Sequence, residues 1–527
     1  MTTAFASEHD VSPNAVRGPS PPTRFLLRQL GPHPLAWVSL FALACSSPPV
    51  VVAAPPPVTY SPVTSGVAAG DVTPQSTVIW ARTNRYAVMH TALVGGGHEV
   101  RAQAWVSEAH DHAAAIPVKG LEPDTEYSYS VWFSSDERPD HPPPGFAESG
   151  KFRTAPEPRA TRAVTFGFSG DLGGINVCRD RARGYPVFRT IDGRALDFFI
   201  GLGDMIYADH ECKPIGLFGN EQVPAAVGAS TTLRDYWAHW KYNRDDAGLR
   251  RLLAETGYYA VWDDHEVVND FGPDSAFRTD PPYVLGASLL PLGRQALFDE
   301  NPIERFSSSP DRLYRSFRWG RHVELVILDT RSYRDSNRLA DTDERPKTML
   351  GPDQRRWFED VVTHSDATWK VVVSSVPISV PTGGGGSAGH DGWANFDLDV
   401  GFERELASIW RAFRDAGTKN VVFVTTDVHF ATGFTYHPFP ESPDFTIHEL
   451  TGGPLSAKFL PNRDVDPSFN PERLYFFGPE ATPNTFEDAM GFMNWVHIAI
   501  DEAGKFSYSV RNALGREVAS GVLPTRR

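Results

Sequence analysis

The sequence predicts an α/β protein with a buried β-sheet, preceded by a small all-β domain. Seven apolar runs after residue 160 are continuous rather than alternating, which indicates strands covered on both faces. Amphipathic segments lie between some of these runs. One of them, RELASIWRAFRDAG, places Leu406, Ile409, Trp410 and Phe413 on one helical face. Shorter strand-like runs fill the region before residue 157.

The composition is that of a globular protein with room for more than one domain. The chain has 527 residues, of which 41% are hydrophobic and 12% aromatic, so it is long enough to bury large cores. Its formal net charge is -15, and this charge argues against a nucleic-acid-binding surface. An anionic substrate would need a local positive field, which a metal centre can supply. The sequence does not indicate an oligomeric state.

Residues 1–55 are predicted to be a signal peptide and a Pro-rich linker. Arg24 and Arg28 precede the apolar run LAWVSLFALAC, residues 35–45, which is too short to span a bilayer as a stable helix. We therefore expect an exported protein, periplasmic or secreted, with no transmembrane segment in its mature form. Cys45 could instead be the acylated cysteine of a lipoprotein, and a disordered N-terminal extension is the remaining interpretation.

Residues 56–157 are predicted to form a small β-sandwich. STVIWART, HTALV, RAQAWVS and LEPDTEYSYSVWF follow one another at short intervals, as strands of such a domain do. The spacing of Leu121, Pro123, Thr125 and Tyr127 resembles the end of a fibronectin type III-like domain, where a tyrosine corner pins the last connection. Acid, imidazole and thiol groups do not cluster in this segment, so we place no chemistry there.

Residues 158–527 are predicted to form the catalytic domain, because most of their apolar runs end in polar groups. Ligands of such sheets gather beyond the carboxyl ends of the strands, which places Asp171, Asp204, Asp264 and the pair Asp427 and His429 around one crevice. Several carboxylates in one crevice repel each other unless cations hold them together. The sequence therefore predicts two divalent or trivalent metal ions.

Spacing gives two of these strand ends a more specific chemistry. In GLGDMIYAD, Tyr207 follows Asp204 by three residues, so a carboxylate and a phenol could reach one ion, and a phenolate suits ferric iron. In TTDVHFA, Asp427 and His429 are two apart and offer one oxygen and one nitrogen ligand. Each pattern alone is common in proteins without a site. Their joint occurrence at successive strand ends favours a functional interpretation.

The stretch YYAVWDDHE ends an apolar run in three carboxylates and an imidazole. Such a cluster needs a compensating charge, because isolated buried carboxylates are costly or become protonated. Asp264 is expected at the metal site because it stands at the end of this strand. Alternation along the strand predicts that Asp263 points to the opposite face, toward a helix cap or a salt bridge.

Four motifs resemble those of the calcineurin-like metallophosphoesterases: GDLG at 170–173, GDMIY at 203–207, DDHE at 263–266 and TDVH at 426–429. The pattern is most similar to the alkaline phosphatase D, or PhoD-like, family and its relatives, the purple acid phosphatases. LDTRSYR, LGPDQRRWF, DGW and the N-terminal β-domain extend the resemblance over nearly all of the chain after the signal. It implies a four-layer α/β/β/α sandwich and a binuclear centre that hydrolyses phosphate monoesters, diesters or both.

The resemblance also assigns roles to single residues. One ion, expected to be ferric iron, would be bound by Asp171, Asp204, Tyr207 and His429. Asp204 would bridge to a second ion, which Asp264 and Asp427 also bind. His265 would contact the scissile phosphate or its leaving group.

Two positions depart from the purple acid phosphatase pattern. Asp264 stands where that pattern has Asn, and VVVSSVPIS at 371–379 offers no His where the pattern has one. A second ion with mainly oxygen ligands would be calcium, magnesium or manganese rather than zinc, and known PhoD-like enzymes use iron with calcium. In some members a cysteine near the first motif binds the iron, but Cys178 is left out of our ligand set. Cys178 and Cys212 could form a disulfide or remain free thiols.

The expected mechanism is metal-assisted hydrolysis of a phosphate ester, with His265 stabilising or protonating the departing alkoxide. Arg331 and Asn269 could bind phosphate oxygens, but an arginine at a strand end is more often a salt-bridge partner, and neither is assigned. Two alternatives stay open. One is a metal-independent hydrolase, although no Ser or Cys nucleophile sits in a suitable turn. The other is a non-catalytic cell-surface binding protein built on the β-sandwich.

Overall fold

The computed structural model describes residues 57–138, 142–225, 228–273, 279, 281–382, 391–394 and 400–526. The predicted signal segment and Cys45 lie outside the described residues. The strands are β1 (Tyr60–Ser61), β2 (Thr64–Gly70), β3 (Ser76–Arg82), β4 (Ala87–Gly95), β5 (His98–Val106), β6 (Ala113–Lys119), β7 (Glu126–Ser134), β8 (Ala147–Arg153), β9 (Val164–Ser169), β10 (Phe198–Leu202), β11 (Gly257–Val261), β12 (Arg315–Trp319), β13 (Val323–Ile327), β14 (Trp369–Val373), β15 (Val421–Thr425), β16 (Ala431–Tyr436), β17 (Ile447–Thr451), β18 (Pro471–Phe477), β19 (Asn494–Ile500), β20 (Phe506–Asn512) and β21 (Glu517–Leu523).

The helices of the described residues are short to medium in length. They are α1 (Phe188–Ile191), α2 (Leu233–Arg244), α3 (Ala247–Glu255), α4 (Leu289–Glu300), α5 (Gly351–His364), α6 (Glu403–Asp415) and α7 (Phe486–Met490). Within the described part of the chain, none of the helices has the length and apolarity that crossing a membrane requires.

The strands form three sheets. A five-stranded sheet has the order β1-β7-β4-β5, with β8 also paired to β7. A nine-stranded sheet has the order β21-β20-β19-β9-β10-β11-β2-β3-β6, and a seven-stranded sheet the order β12-β13-β14-β15-β17-β16-β18. In the nine-stranded sheet β9, β10 and β11 run parallel, and in the seven-stranded sheet β13, β14, β15 and β17 do. Each large sheet therefore has a parallel centre with carboxyl ends at one edge.

All seven apolar runs predicted as strands are strands: β9, β10, β11, β13, β14, β15 and β17. Five of them are buried along their whole length, which is why their sequences show no alternation. The predicted helix of the last third is α6, which buries Leu406, Ile409, Trp410 and Phe413 as expected.

Neighbouring residues of the central strands pack into different hydrophobic clusters. Phe198 of β10 and Val371 of β14 belong to one cluster, which is shared by the two large sheets. The next residue of β10, Phe199, packs in a second cluster with residues of α2, α3 and α4. The next residue of β14, Val372, packs in a third cluster with residues of α5 and α6. Each sheet thus buries both faces, because side chains alternate along a strand.

The predicted β-domain shares a sheet with the catalytic part. β2 runs parallel to β11 through the pair Tyr258 and Gly70, so β2, β3 and β6 extend the nine-stranded sheet. The sheet therefore crosses the boundary predicted near residue 157. In the five-stranded sheet the Tyr127 hydroxyl accepts a hydrogen bond from the Glu122 backbone N–H at 2.9 Å, the contact of a tyrosine corner.

A buried ion pair joins the end of β2 to the start of β12. Both carboxylate oxygens of Asp71 accept from the Arg315 guanidinium, at 2.9–3.1 Å. Arg315 also donates to the carbonyl of Ala260 in β11 at 2.9 Å, and Asp71 accepts from the Glu304 backbone N–H at 2.9 Å. Asp71 and Arg315 are buried, so water cannot replace either partner.

Arg315→Met should destabilise the fold by about 3–5 kcal/mol, because it leaves the Asp71 carboxylate buried without its cation. Denaturant unfolding followed by circular dichroism measures the change. Asp71 has a positive φ of 44°, which Asn tolerates, so Asp71→Asn combined with Arg315→Met removes both charges with little backbone strain. The double variant should recover part of the loss. A double variant that is less stable by the sum of both single losses would argue against this pairing.

Candidate active site

The predicted site residues lie just beyond the carboxyl ends of four strands of the two large sheets. Asp171 follows β9, Asp204 follows β10, Asp264 follows β11 and Asp427 follows β15. All four are buried or nearly so because the two sheets face each other across the shared cluster. The loops that leave the strands thus turn acidic side chains into one space.

The first group of potential ligands is formed by Asp171, Asp204 and His429. One side-chain donor atom from each lies within 4.8 Å of those of the other two. The Tyr207 hydroxyl is 2.9 Å from Nε2 of His429, which brings the predicted phenol ligand to the same group. The structure therefore gathers all four residues predicted for the first ion.

A second group shares Asp204 with the first. Donor atoms of Asp204, Asp263, Asp264 and Asp427 lie within 4.8 Å of one another. The Thr382 hydroxyl donates to Oδ2 of Asp427 at 2.9 Å and helps to orient it. Asp204 belongs to both groups, as the predicted bridging role would require. Metal binding by these residues stays a prediction.

The backbone at these strand ends is turned into a sparsely populated conformation. Asp171, Asp204, Asp427 and His429 have φ of 59°, 51°, 75° and 59°, in the left-handed region that most side chains avoid. Residues held in this way cluster at functional sites, where the surrounding structure compensates for the strain. Here the left-handed residues are four of the six predicted metal ligands.

A glycine makes room for one of these carboxylates. Gly453 has φ of 121°, and a Cβ built there would lie 2.4 Å from Oδ2 of Asp171 and 3.0 Å from the Thr426 hydroxyl. That hydroxyl donates to the same Oδ2 at 2.9 Å. Any side chain at residue 453 would push Asp171 out of place.

The carboxylates of both groups are unfavourable in their ionised form unless cations lie close to them. Burial raises the pKa of Asp171 to about 8. Burial, followed by repulsion from Asp264, raises the pKa of Asp204 well above its ordinary value, and burial with repulsion from Asp263 does the same for Asp427. Oδ1 of Asp171 and Oδ2 of Asp204 are buried with no hydrogen-bond partner among the described residues. Metal ions would satisfy these oxygens, so the donor set fits a binuclear centre.

Tyr207 is a buried phenol beside these carboxylates. Burial, followed by the charge of Asp204, raises its pKa well above the ordinary value, so the phenolate would form only next to a strong cation. Its ring stacks on the imidazole of His265, with ring centres 4.0 Å apart. Tyr207 therefore connects the first ligand group to the predicted catalytic histidine.

Asp209 holds His265 in place. Its Oδ1 is 2.7 Å from Nδ1 of His265, and its Oδ2 accepts from the backbone N–H of Asn269 at 2.9 Å. Burial alone would lower the pKa of His265, but the charges of Asp209 and Asp264 outweigh it and raise that pKa to about 9. In return His265 holds the pKa of the buried Asp209 well below its ordinary value. The imidazole thus keeps its proton next to an ionised carboxylate.

Sequence reasoning missed Asp209. Its signal was present in YADH, where an acid follows the predicted ligand Tyr207 by two residues. The contact with His265 spans 56 positions of the chain, so spacing alone could not show it.

The Asp263 side chain does not leave the site, contrary to the alternation argument. It belongs to the second group, and its Oδ1 pairs with Nε of the fully buried Arg331 at 2.5 Å. The strand ends at Val261, so its alternation does not extend to Asp263. The salt bridge itself was the expected contact.

Arg331 is fully buried and enclosed by acids, and among the described residues its Nη2 has no hydrogen-bond partner. Besides Asp263 it pairs with Asp391 and lies 3.6 Å from Oδ1 of Asp264. Arg334 donates to the second oxygen of Asp391 at 2.7 Å. These guanidinium groups supply buried positive charge behind the second ligand group.

Two further contacts tie the ligand loops together. The carboxylate of Glu266 accepts hydrogen bonds from the backbone N–H groups of Asp204, Met205 and Asp263 at 2.7–3.1 Å. A disulfide joins Cys178 and Cys212, with Cα atoms 5.8 Å apart, and links the loop after β9 to the loop after β10. This bond resolves the alternatives that spacing left open for the two cysteines.

Comparison with known families gives two matches. The family model described as PhoD-like phosphatase matches residues 174–495, and the model described as PhoD-like phosphatase, N-terminal domain, matches residues 50–156. Among curated proteins, alkaline phosphatase D of Bacillus subtilis (strain 168) is 26% identical over 413 residues. That match covers 71% of this chain, which spans 66% of the length of the relative.

Solved structures that share the fold include the following two. A structure of PhoD aligns with a TM-score of 0.67 at 20% identity, over 89% of this chain and 90% of that one. The purple acid phosphatase from yellow lupin (Lupinus luteus) seeds aligns with a TM-score of 0.54 at 12% identity, over 88% and 74%. The fold is therefore that of an α/β metallophosphoesterase with an N-terminal β-domain.

The neighbours Asp263 and Asp264 make a matched pair of variants. Asp264→Asn should lower the content of the second ion, because it removes an anionic oxygen from that group. Asp263→Asn should keep both ions, because Arg331 already engages the Asp263 carboxylate in an ion pair and Asp263 is not assigned as a ligand. It should cost about 1.5–3 kcal/mol of stability, because Arg331 loses a charged hydrogen-bond partner. Elemental analysis and thermal unfolding of both proteins beside wild type check this. If Asp263→Asn loses metal and Asp264→Asn does not, Asp263 rather than Asp264 is the ligand of the second ion.

Proposed function

The chain belongs to the PhoD-like phosphatase family, and from that membership we propose that it hydrolyses phosphate esters at a pair of metal ions held by the two ligand groups. One observation carries the proposal: Asp204 is shared by both buried groups, next to a histidine that is positioned to donate a proton. The relative named alkaline phosphatase D supports the same reaction class.

We assign the first ion to Asp171, Asp204, Tyr207 and His429 and the second to Asp204, Asp264 and Asp427. A hard oxygen-rich set with one phenol and one imidazole suits ferric iron at the first position. All side-chain ligand atoms of the second set are carboxylate oxygens, which suit calcium, manganese or magnesium better than zinc. When bound, the ions would neutralise phosphate oxygens and lower the pKa of a water for attack on phosphorus.

His265 is the proposed proton donor. Hydrolysis replaces the ester P–O bond with a bond to the oxygen of water, and the departing alkoxide takes a proton from Nε2 of His265. Asp209 accepts from Nδ1 of the same ring, so Nε2 is the nitrogen left for the leaving group, and the carboxylate stabilises the imidazolium. A nitrogen of this ring lies within 4.8 Å of carboxylate oxygens of Asp204 and Asp264. Tyr207 covers one face of the ring and keeps it from rotating away.

Several wider assignments accompany this function. We propose the four-layer α/β/β/α arrangement for the catalytic part, which the three hydrophobic clusters support. We also propose an exported enzyme, periplasmic or secreted, with a lipid anchor at Cys45 as the alternative to signal cleavage; the Cys178–Cys212 disulfide supports an oxidising compartment. Monoesters and diesters both remain substrates of the proposed reaction.

If Tyr207 binds ferric iron, the iron-loaded protein should be coloured by a phenolate-to-iron charge-transfer band, and Tyr207→Phe should bleach it. Visible absorption spectra at equal iron content measure the effect. Tyr314→Phe, on a tyrosine outside both ligand groups, is the control and should keep the colour. A colourless, fully active wild-type protein that contains iron would exclude this ligand.

His265→Asn should keep both ions and lower kcat by about 10²–10⁴-fold, because the leaving group loses its proton donor. The loss should be smaller for p-nitrophenyl phosphate, whose leaving group needs little protonation. Asp209→Asn leaves His265 in the chain but removes the carboxylate that orients it. We expect kcat to fall by about 10–100-fold, the usual effect of removing an orienting partner. Steady-state kinetics with alkyl and aryl phosphates, together with elemental analysis, measure both effects.

Asp353→Asn, on the exposed outer side of α5, is the control and should match wild type. If wild-type protein loaded with iron and calcium hydrolyses neither mono- nor diesters, the proposed function is wrong. If His265→Asn loses metal, His265 is a ligand rather than the proton donor.

A further inference from the structure

A group of arginines lies on the outer face of the nine-stranded sheet, around α1 and the loop that follows it. Trp495 of β19 packs in the outer hydrophobic cluster with residues of α2, α3 and α4, and its indole N–H donates to the Thr190 hydroxyl of α1 at 3.0 Å. The next residue, Val496, belongs instead to the cluster between the two large sheets. α1 therefore covers the outer face of this sheet, and its residues belong to neither metal-ligand group.

An open hollow of about 540 Å³ lies beside this loop. Residues 189–194 form one wall and residues 513–515, the turn between β20 and β21, form the other. The charged side chains that line it are Arg189, Asp192 and Arg194. Asp192 pairs with Arg251. Among the described residues, neither Arg189 nor Arg194 has a carboxylate partner, so the hollow presents two uncompensated cations.

Backbone carbonyls hold both guanidinium groups in place. Nε of Arg194 donates to the carbonyl of Thr190 at 2.9 Å, and Nη2 of Arg189 donates to the carbonyl of Arg183 at 3.1 Å. A guanidinium has five N–H donors, and a carbonyl carries no net charge. Each group is therefore ordered by one hydrogen bond and keeps its positive charge and further donors for a ligand.

More positive charge lies behind the hollow, on β19 and β20. Nη2 of Arg511 pairs with Glu517 at 2.9 Å, whereas Nε of Arg511 is buried without a hydrogen-bond partner among the described residues. Burial, followed by the charges of Arg511 and Arg194, lowers the pKa of His497 to about 4. Like charges gathered in this way are unfavourable unless an ion of opposite sign lies close to them. The hollow is thus a positive region of a chain whose formal net charge is -15.

We propose that this hollow binds the phosphate group of a small ligand, with Arg189 and Arg194 as its main contacts. The oxygens of a phosphate match the planar guanidinium fork, and its double charge offsets both arginines. The volume falls in the range of small-molecule sites, so an organic group can accompany the phosphate. The ligand is free phosphate or a phosphorylated compound. This inference goes beyond the proposed hydrolysis and does not depend on it.

Equilibrium dialysis against radiolabelled inorganic phosphate, at mildly alkaline pH and low ionic strength, counts the sites. Wild-type enzyme loaded with iron and calcium should bind one equivalent more than Arg189→Gln combined with Arg194→Gln. The affinity for this equivalent should fall at least about tenfold, the effect of losing one charge-assisted hydrogen bond. Phosphate at the candidate active site is common to both proteins, so their difference measures the hollow alone.

Arg85→Gln combined with Arg356→Gln is the matched control. It removes the same charge from two exposed arginines outside the hollow and should bind as much phosphate as wild type. Leu514 gives a second test that keeps both arginines, because its side chain lines the hollow and is 46% exposed. Leu514→Asp should lose the same equivalent through repulsion, whereas Leu514→Asn should keep it. Thermal unfolding and metal content show whether each variant is folded.

Phenylphosphonate, which carries a phosphate-like group but has no ester bond, distinguishes the two sources. If it displaces this equivalent at a lower concentration than unlabelled phosphate does, the site is supported and its ligand is a phosphorylated compound. If it displaces it less well, the site is supported and its ligand is free phosphate. The proposal is overturned if the double glutamine variant or Leu514→Asp binds as much phosphate as wild type. Failure to hydrolyse p-nitrophenyl phosphate would count against the proposed function only.

Discussion

Burial of like charges at the meeting point of two sheets is the constraint on which the rest of this structure depends. Asp171, Asp204 and Asp264 are at most 3% exposed, and Asp427 is enclosed beside them. Such a group is unfavourable unless positive charge compensates it. The protein supplies part of that charge through Arg331. Its unsatisfied carboxylate oxygens leave the remainder to metal ions.

The parts of this site that the sequence predicted are those that depend on local pattern. Continuous apolar runs indicated the central strands, and because parallel strands share one edge, the acids that follow them were expected in one crevice. The structure brings the six predicted ligands and His265 together there. Their roles as ligands are predictions that follow from residue type and from family resemblance.

The features of the site that the sequence did not predict depend on contacts between distant segments of the chain. Asp209 and His265 lie in different loops, and no periodicity links them. The enclosure of Arg331 by Asp263 and Asp391 follows from three separate loops. The predicted orientation of Asp263 was wrong because alternation applies within a strand, and the strand ends at Val261. Pattern reasoning therefore located the site but could not supply the side chains that orient it.

The disulfide has a consequence for the covalent topology of the chain. Cys178 and Cys212 are 34 positions apart, and the segment they enclose carries β10 together with Asp204 and Tyr207. A single cut of the backbone inside this segment would leave one covalent molecule, because the sulfur bridge still joins the two pieces. The ligands of the first ion would then reside on two polypeptides that behave as one chain until a reductant separates them. In an environment rich in proteases, the ring around β10 thus tolerates a backbone break that would release a fragment elsewhere.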